Sequence, residues 1–192
     1  MPTTYAHYKF GKEVLSALPR PLQNSIEAHR ELFDIGLHGP DILFYYNALK
    51  KDPVNEQGHT LHEQFADEFF HHAVEVIEKA KDPAAARAYI YGFICHFALD
   101  SECHPYVEKI MQVGRVSHNE IEMELDRMML TEDYHDPLRY LTAKHIQPKM
   151  EYAEVIAPFF KDVTAEQIYK ALKGMVFYHK LFLAPTSGKR KA

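Results

Sequence analysis

Apolar residues recur at spacings of three and four along almost the whole chain and strict alternation is missing, which predicts an all-α domain. A first helix carries His7, Phe10, Val14, Leu15 and Leu18 on one stripe and stops before Pro19 and Pro21. A second, with Leu22, Ile26, His29 and Phe33 on its stripe, runs to Gly36. Gly39-Pro40-Asp41 reads as a turn, and the apolar stretch Ile42–Tyr46 after it reads as buried. Lys50 to Gly58 is polar, contains Pro53 and reads as a loop.

Thr60-Leu61-His62-Glu63 has capping-box spacing, so a long helix is expected from there, its stripe running His62, Phe65, Ala66, Phe69, Ala73, Val76, Ile77 and Ala80. Asp82-Pro83 opens the next helix with a capping carboxylate and a proline at the first helical position. That helix, over roughly 83–100, is the most apolar. Ile90, Phe93, Ile94 and Phe97 leave it little solvent face, which places it at the centre, and Pro105 is expected to end the pattern. Gly92, one turn before His96, is expected to leave space beside it. Ser117–Glu120 and Thr164–Gln167 are two further capping boxes, opening helices that turn Ile121, Glu122, Leu125 and Met129, and then Ile168, Leu172, Met175 and His179, inward. The expected organisation is one helical domain over 1–185 and a polar tail over 186–192.

The chain has 192 residues and a net charge of −5, so it lacks the basic field that nucleic-acid binding normally needs. No stretch reaches the roughly 18 uninterrupted apolar residues of a membrane helix, and Met1–Tyr5 lacks the layout of a signal peptide, so a cytoplasmic protein is expected. Cys95 and Cys103, eight positions and about 12 Å apart on one helix, are too distant for a disulfide and are expected to be reduced. The unusual count is histidine, with 13 residues. Metal binding becomes the chemistry to look for.

Several of these histidines occupy faces that should be dry. His7, His62, His96, Asp100, His118 and Glu122 fall on or beside apolar stripes, where an unpaired charge costs several kcal/mol. His29 and His179 are read as core histidines bonded to a carbonyl, and Glu120, Glu124 and Asp126 as solvated helix-face charges. His96-x-x-x-Asp100 and His118-x-x-x-Glu122 are i, i+4 pairs, placing an imidazole and a carboxylate about 5–6 Å apart on one helix face. Nitrogen and carboxylate ligands without a thiolate suit zinc, and so many of them exceed what one tetrahedral ion uses; two or three ions are expected. Three zinc ions facing Asp41, Asp100 and Glu122 would leave a charge of about +3, attractive to a phosphate ester.

From about residue 5 to residue 126 these motifs, in this order, resemble the zinc-dependent phospholipase C family, an all-helical fold of the phospholipase C and P1 nuclease type. The resemblance implies a ligand set of His7, Asp41, His62, His96, Asp100, His104, His118 and Glu122. His7 is the near-N-terminal histidine and Asp41 the aspartate of a Pro-Asp turn, ligand and general base. His62 is preferred to His59 because it begins an apolar stripe. His96 and Asp100 form H-x-x-x-D followed by His104-Pro105, with Asp100 bridging two ions, and His118 and Glu122 hold the remaining zinc with His104. The implied activity is phosphate-ester hydrolysis on a phospholipid-like small substrate, Asp41 and Asp100 being the catalytic residues and zinc-bound hydroxide the nucleophile. The N-terminal tryptophan ligand of the secreted members has no counterpart, since the chain has no tryptophan.

Other readings are weaker. A ferritin-like di-iron protein needs two E-x-x-H motifs and Glu68–His71 is one; an HD-type site at His135-Asp136 is spoiled by Pro137. The alternative is a non-catalytic zinc-binding helical domain acting in protein interaction, with Phe44, Tyr45 and Tyr46 as the contact.

Overall fold

A computed structural model describes residues 4–184 of the chain. The polar tail expected over 186–192 lies outside them. The described residues form nine α-helices and two 3-10 helices, with no strand. In order they are α1 (Thr4–Ala17), α2 (Arg20–Glu27), α3 (Arg30–Gly36), a 3-10 helix (Gly39–Tyr45), α4 (Pro53–Glu63), α5 (Ala66–Lys79), α6 (Pro83–Val113), α7 (His118–Glu132), α8 (Met150–Ile156), a short 3-10 turn (Ala157–Phe159) and α9 (Ala165–Phe182). The all-α expectation holds.

α6 is the spine. Its first half buries Tyr89 and Phe93 in a core with Ile35, Ile42, Leu43, Phe159 and Leu172, so that α3, α5, α8, α9 and the 3-10 helix close around it. A smaller core, with Leu15, Ile26, Phe33 and Leu37, fastens α1 and α2 to the other side. Each large side chain fully removed from water contributes about 1.5–3 kcal/mol. The expected caps form at Asp82, whose carboxylate accepts from the Ala84 and Ala85 amides, and reciprocally at Ser117 with Glu120 and at Thr164 with Gln167.

α3 and α6 cross with their backbones in contact. A Cβ on Gly36 would lie 2.1 Å from the Tyr89 carbonyl oxygen, and one on Gly92 2.2 Å from that of Phe33. Gly92 therefore does not leave space beside His96: α3 fills it. Because the 3-10 helix follows α3 after two residues, this crossing carries Gly39-Pro40-Asp41 onto His96.

The elements differ from expectation where a local signal was misjudged. The stripe over 22–36 is interrupted at Ala28–His29, giving α2 and α3. Lys50–Gly58 is not all loop: Asp52 and Asn55 form a reciprocal cap, and Pro53 sits at the first helical position, where its missing amide costs nothing. Thr60 is therefore mid-helix, its hydroxyl bonded to the Glu56 carbonyl, and the long helix expected from there is two, broken around Gln64 and Phe65. Phe65 is 92 % exposed. α6 does not stop near Asp100 either; it runs through Pro105 to Val113. One proline removes one amide, the partner of the Ser101 carbonyl, at a cost of about 3 kcal/mol that packing offsets. Ile94 and Phe97 lie on the outer face of α6, each 43 % exposed, and not in the core.

Candidate metal centre

Three of the expected ligands, His96, Asp100 and His104, are spaced by four on α6 and so share a face. α1 brings His7 to them: its Nε2 is 3.1 Å from Asp100 Oδ1, and its ring stacks on His96 at 4.4 Å between centroids. The 3-10 helix brings Asp41, and the last turn of α4 brings His62 Nε2 to 3.1 Å from Asp41 Oδ1 and 3.7 Å from Asp100 Oδ2. The His62 Nδ1–H donates to the Gly58 carbonyl at 2.7 Å, which sets the tautomer and turns Nε2 toward the carboxylates. α7 supplies His118 and Glu122, bonded to each other at 2.6 Å, with His104 Nε2 3.9 Å from the same Glu122 oxygen and 3.9 Å from Asp100 Oδ2. His59 instead lies against the Phe44 ring.

All eight expected ligands fall into three groups whose donor atoms lie within 4.8 Å of one another: His7, His96 and Asp100; Asp41, His62 and His96; His104, His118 and Glu122. Asp100 faces His7 with one oxygen and His96, His62 and His104 with the other. Glu68, His71 and the His135-Asp136 pair belong to none of the three groups.

The donor atoms suit zinc on their own evidence. Asp41 Oδ1, Asp100 Oδ2 and both ring nitrogens of His96 are buried without a hydrogen-bond partner. His96 Nε2 lies 3.3 Å from Asp100 Oδ2, and His62 Nε2 3.1 Å from Asp41 Oδ1, without the angles of a hydrogen bond. Each such orphan costs about 1–3 kcal/mol, and a cation among them satisfies several at once. Nitrogen and carboxylate donors are those zinc takes. The His7 and His96 side chains are each 3 % exposed, whereas His104 and His118 are each 35 % exposed, so the site opens on its third group. A recess of about 160 Å³ lies there, walled by His7, Asp100, His104 and Glu122.

Charge within the cluster follows burial and neighbours. Burial, with His7 alongside, pushes His96 down to about 4, so its ring is neutral and its nitrogens can ligate. Burial also works against a charge on His62, but the adjacent Asp41 outweighs it and holds the pKa up at about 9. Burial would raise Asp100; the contact with His7 and the electrostatic influence of the neighbouring imidazoles prevail and keep it well below the usual carboxylate range.

A supporting frame holds α1 and the 3-10 helix in place. Asp126 of α7 accepts from the Tyr5 and Ala6 amides at 3.0 and 2.9 Å, closing the first turn of α1, and Asp133 accepts from Tyr5 Oη and Lys9 Nζ at 2.6 and 2.7 Å. Asp126 is therefore not a solvated charge, whereas Glu124 is, paired only with Arg127. The missed signal is spacing: Glu122 and Asp126 lie on one face of α7 with the buried Leu130, where acids need partners, and Asp133 follows at its C-terminal cap. His38, just before Gly39, is buried with its Nε2 2.7 Å from that of His145, and Tyr8 stacks on His145 at 3.9 Å. Burial keeps both imidazoles neutral, so one donates and the other accepts. His179 does sit in the interior, but its partners are the hydroxyls of Tyr45, Thr142 and Thr4 and not a carbonyl. His29 lies part-exposed, 4.0 Å from Asp82.

No curated protein and no solved structure matches the chain. The sequence model described as zinc dependent phospholipase C matches residues 6–174. That span takes in every one of the eight converging side chains and most of the helices that carry them. The chain belongs to the zinc-dependent phospholipase C family.

Proposed function

We propose that this chain is a zinc-dependent hydrolase of phosphate esters on a phospholipid-like small substrate, with two or three ions held by His7, Asp41, His62, His96, Asp100, His104, His118 and Glu122. The observation that carries the reading is the convergence of buried, hydrogen-bond-free donor atoms from the 3-10 helix and α6, with His7 and His62 facing them, at one place in the fold. Zinc bound among such donors supplies Lewis acidity toward a phosphoryl oxygen and makes water acidic near neutral pH.

The chain's own residues then divide the work. Asp41, with one oxygen toward His62, accepts a proton from the attacking water. Asp100 spans the groups with its two oxygens and keeps them at a constant separation. His62, oriented by the Gly58 carbonyl, and Glu122, by His118, hold their donor atoms in register. The phosphate enters on the side of His104 and His118, whose side chains are the most exposed of the set. Water is excluded from the opposite side by Phe93 and the α3–α6 crossing, which strengthens every charge interaction inside.

Elemental analysis of the purified protein together with turnover of a choline-phosphate ester tests the reading. Two or three zinc ions per chain are expected, with turnover by the wild type and a loss of at least about a hundredfold in Asp100→Asn. Fewer than two ions per chain, or equal rates for the two proteins, overturns it.

A further inference from the structure

Beyond the recess of the metal centre, the second half of α6 and the outer face of α7 diverge and leave a groove of about 700 Å³. Its walls are apolar for the most part: Tyr106, Val107 and Ile110 from α6 face Ile121, Leu125 and Met128 from α7. Several of these side chains are strongly exposed for their type, with Tyr106 at 70 %, Met128 at 47 % and Ile110 at 44 %. Of the charged residues in its wall, Glu124 and Arg127 are paired with each other and Glu132 is the third. The volume falls within the roughly 300–1,000 Å³ of small-molecule sites.

The groove does not stand apart from the centre. Cys103, Val107 and Leu125 border both it and the recess walled by His7, Asp100, His104 and Glu122. Along α6 the rise from Asp100 to Ile110 is about 15 Å, comparable to an extended chain of about ten to twelve carbons. A ligand with its phosphate at the metal-facing side chains and a hydrocarbon tail would thus lay that tail along α6, on an adaptable wall that includes Met128.

We infer that the α6–α7 groove binds the hydrocarbon tail of the substrate, so that the protein recognises an amphiphile with a phosphate at one end and a single alkyl or acyl chain in the groove. The inference rests on the reading of the centre given above, and names the part of the substrate remote from the reacting bond. Binding energy gained there is available to orient the ester.

The test uses alkylphosphonates, whose carbon–phosphorus bond resists hydrolysis, titrated by calorimetry into the zinc-loaded full chain below their micellar concentrations. Methylphosphonate reports the metal centre alone; butyl, hexyl, octyl and decyl members report the groove. Affinity is expected to rise about twofold per added methylene, half the roughly fourfold of complete burial because the groove is open on one side. In Ile110→Asp and Met128→Glu, both at exposed positions that leave the fold intact by circular dichroism, that rise is expected to vanish while methylphosphonate binds as before. Affinity independent of chain length with methylphosphonate still bound overturns the groove and leaves the metal centre standing. A chain-length dependence unchanged in both variants places the tail elsewhere and also overturns it. Failure of every phosphonate to bind removes the reading of the centre and the groove with it. A wild-type dimer that both substitutions convert to monomer assigns the face to a second copy of the chain, against the proposal.

Discussion

Gly39 is where the fold and the centre constrain each other most tightly, and replacing it by alanine tests both. Its φ of +47° is a left-handed conformation that costs an alanine about 1–2 kcal/mol. The added Cβ would sit 2.2 Å from Cδ2 and 2.8 Å from Nε2 of His96. Ordinary contact requires the ring to retreat by about 1 Å, but His7 is stacked on it and Phe93 packs edge-on against it. Overpacking of this kind adds about 1–3 kcal/mol, for a total of about 2–5 kcal/mol. A displacement of that size at a ligand is expected to lower turnover by about a hundredfold. Urea denaturation, elemental analysis for zinc and turnover of a choline-phosphate ester give the three readouts. Gly39→Asn separates the two terms, because asparagine tolerates the left-handed region: it should recover about 1 kcal/mol of stability and none of the activity. A Gly39→Ala protein with wild-type zinc content, stability within about 0.5 kcal/mol and turnover within twofold would refute the reasoning.

Four further outcomes are expected. Asp126→Ala, which strips two acceptors from the first turn of α1, should lower stability by about 1–2 kcal/mol and remove the ion held by His7 before the others, visible as reduced zinc per chain in a protein that still folds. Burial holds His179 down at about 4 and His145 at about 3, against 6.5 when unfolded; the unfolded chain binds these protons more tightly, so stability is complete above about pH 6.5 and falls as the pH drops toward 4, by about 3 kcal/mol per residue. Urea melts of metal-free protein at pH 7 and pH 4 check this, and His179→Gln should flatten the slope. Asp34 behaves with the opposite sign, its carboxyl being raised by burial to about 6 despite the bond from Arg30, so it lowers stability as the pH rises through 4 to 6; Asp34→Asn should gain on the wild type by up to about 3 kcal/mol between pH 4 and pH 7 in the same melts. Chelation should lower the melting temperature, since each site filled at a hundredfold its Kd contributes about 2.7 kcal/mol; an unchanged melt would show that the donor groups hold no ion.

Six of the eight converging residues, His7, His62, His96, Asp100, His118 and Glu122, stand out in the sequence because imidazoles and acids on apolar stripes must be satisfied by something, whereas Asp41, in a turn, and His104, beside Pro105, are legible only from the motifs around them. Helix type, the caps at Asp82, Ser117 and Thr164 and the centrality of α6 were readable for similar reasons, being local signals that agree with the global fold. What the sequence misjudged are competitions between neighbouring signals. Thr60 has the spacing of a cap, but Asp52 with Asn55, eight residues earlier, is the stronger one and includes Thr60 in its helix. Pro105 weakens α6 locally and is outweighed by the packing of its flanks, with Val107 buried two residues on. The roles of Asp126, Gly92 and the His38–His145 pair depend on which element lies opposite, and no pattern within one helix contains that information.

One rigid rod carrying His96, Asp100 and His104 makes the spacing of the centre a matter of helical pitch instead of loop conformation. Each residue on a helix advances the azimuth by about 100°. Inserting or deleting a single amino acid between His96 and His104 would thus swing one end of the ladder more than a quarter of a revolution away from the other. Such a lesion would uncouple the two ends of the cluster while preserving every side chain's identity, an effect that point substitutions cannot mimic.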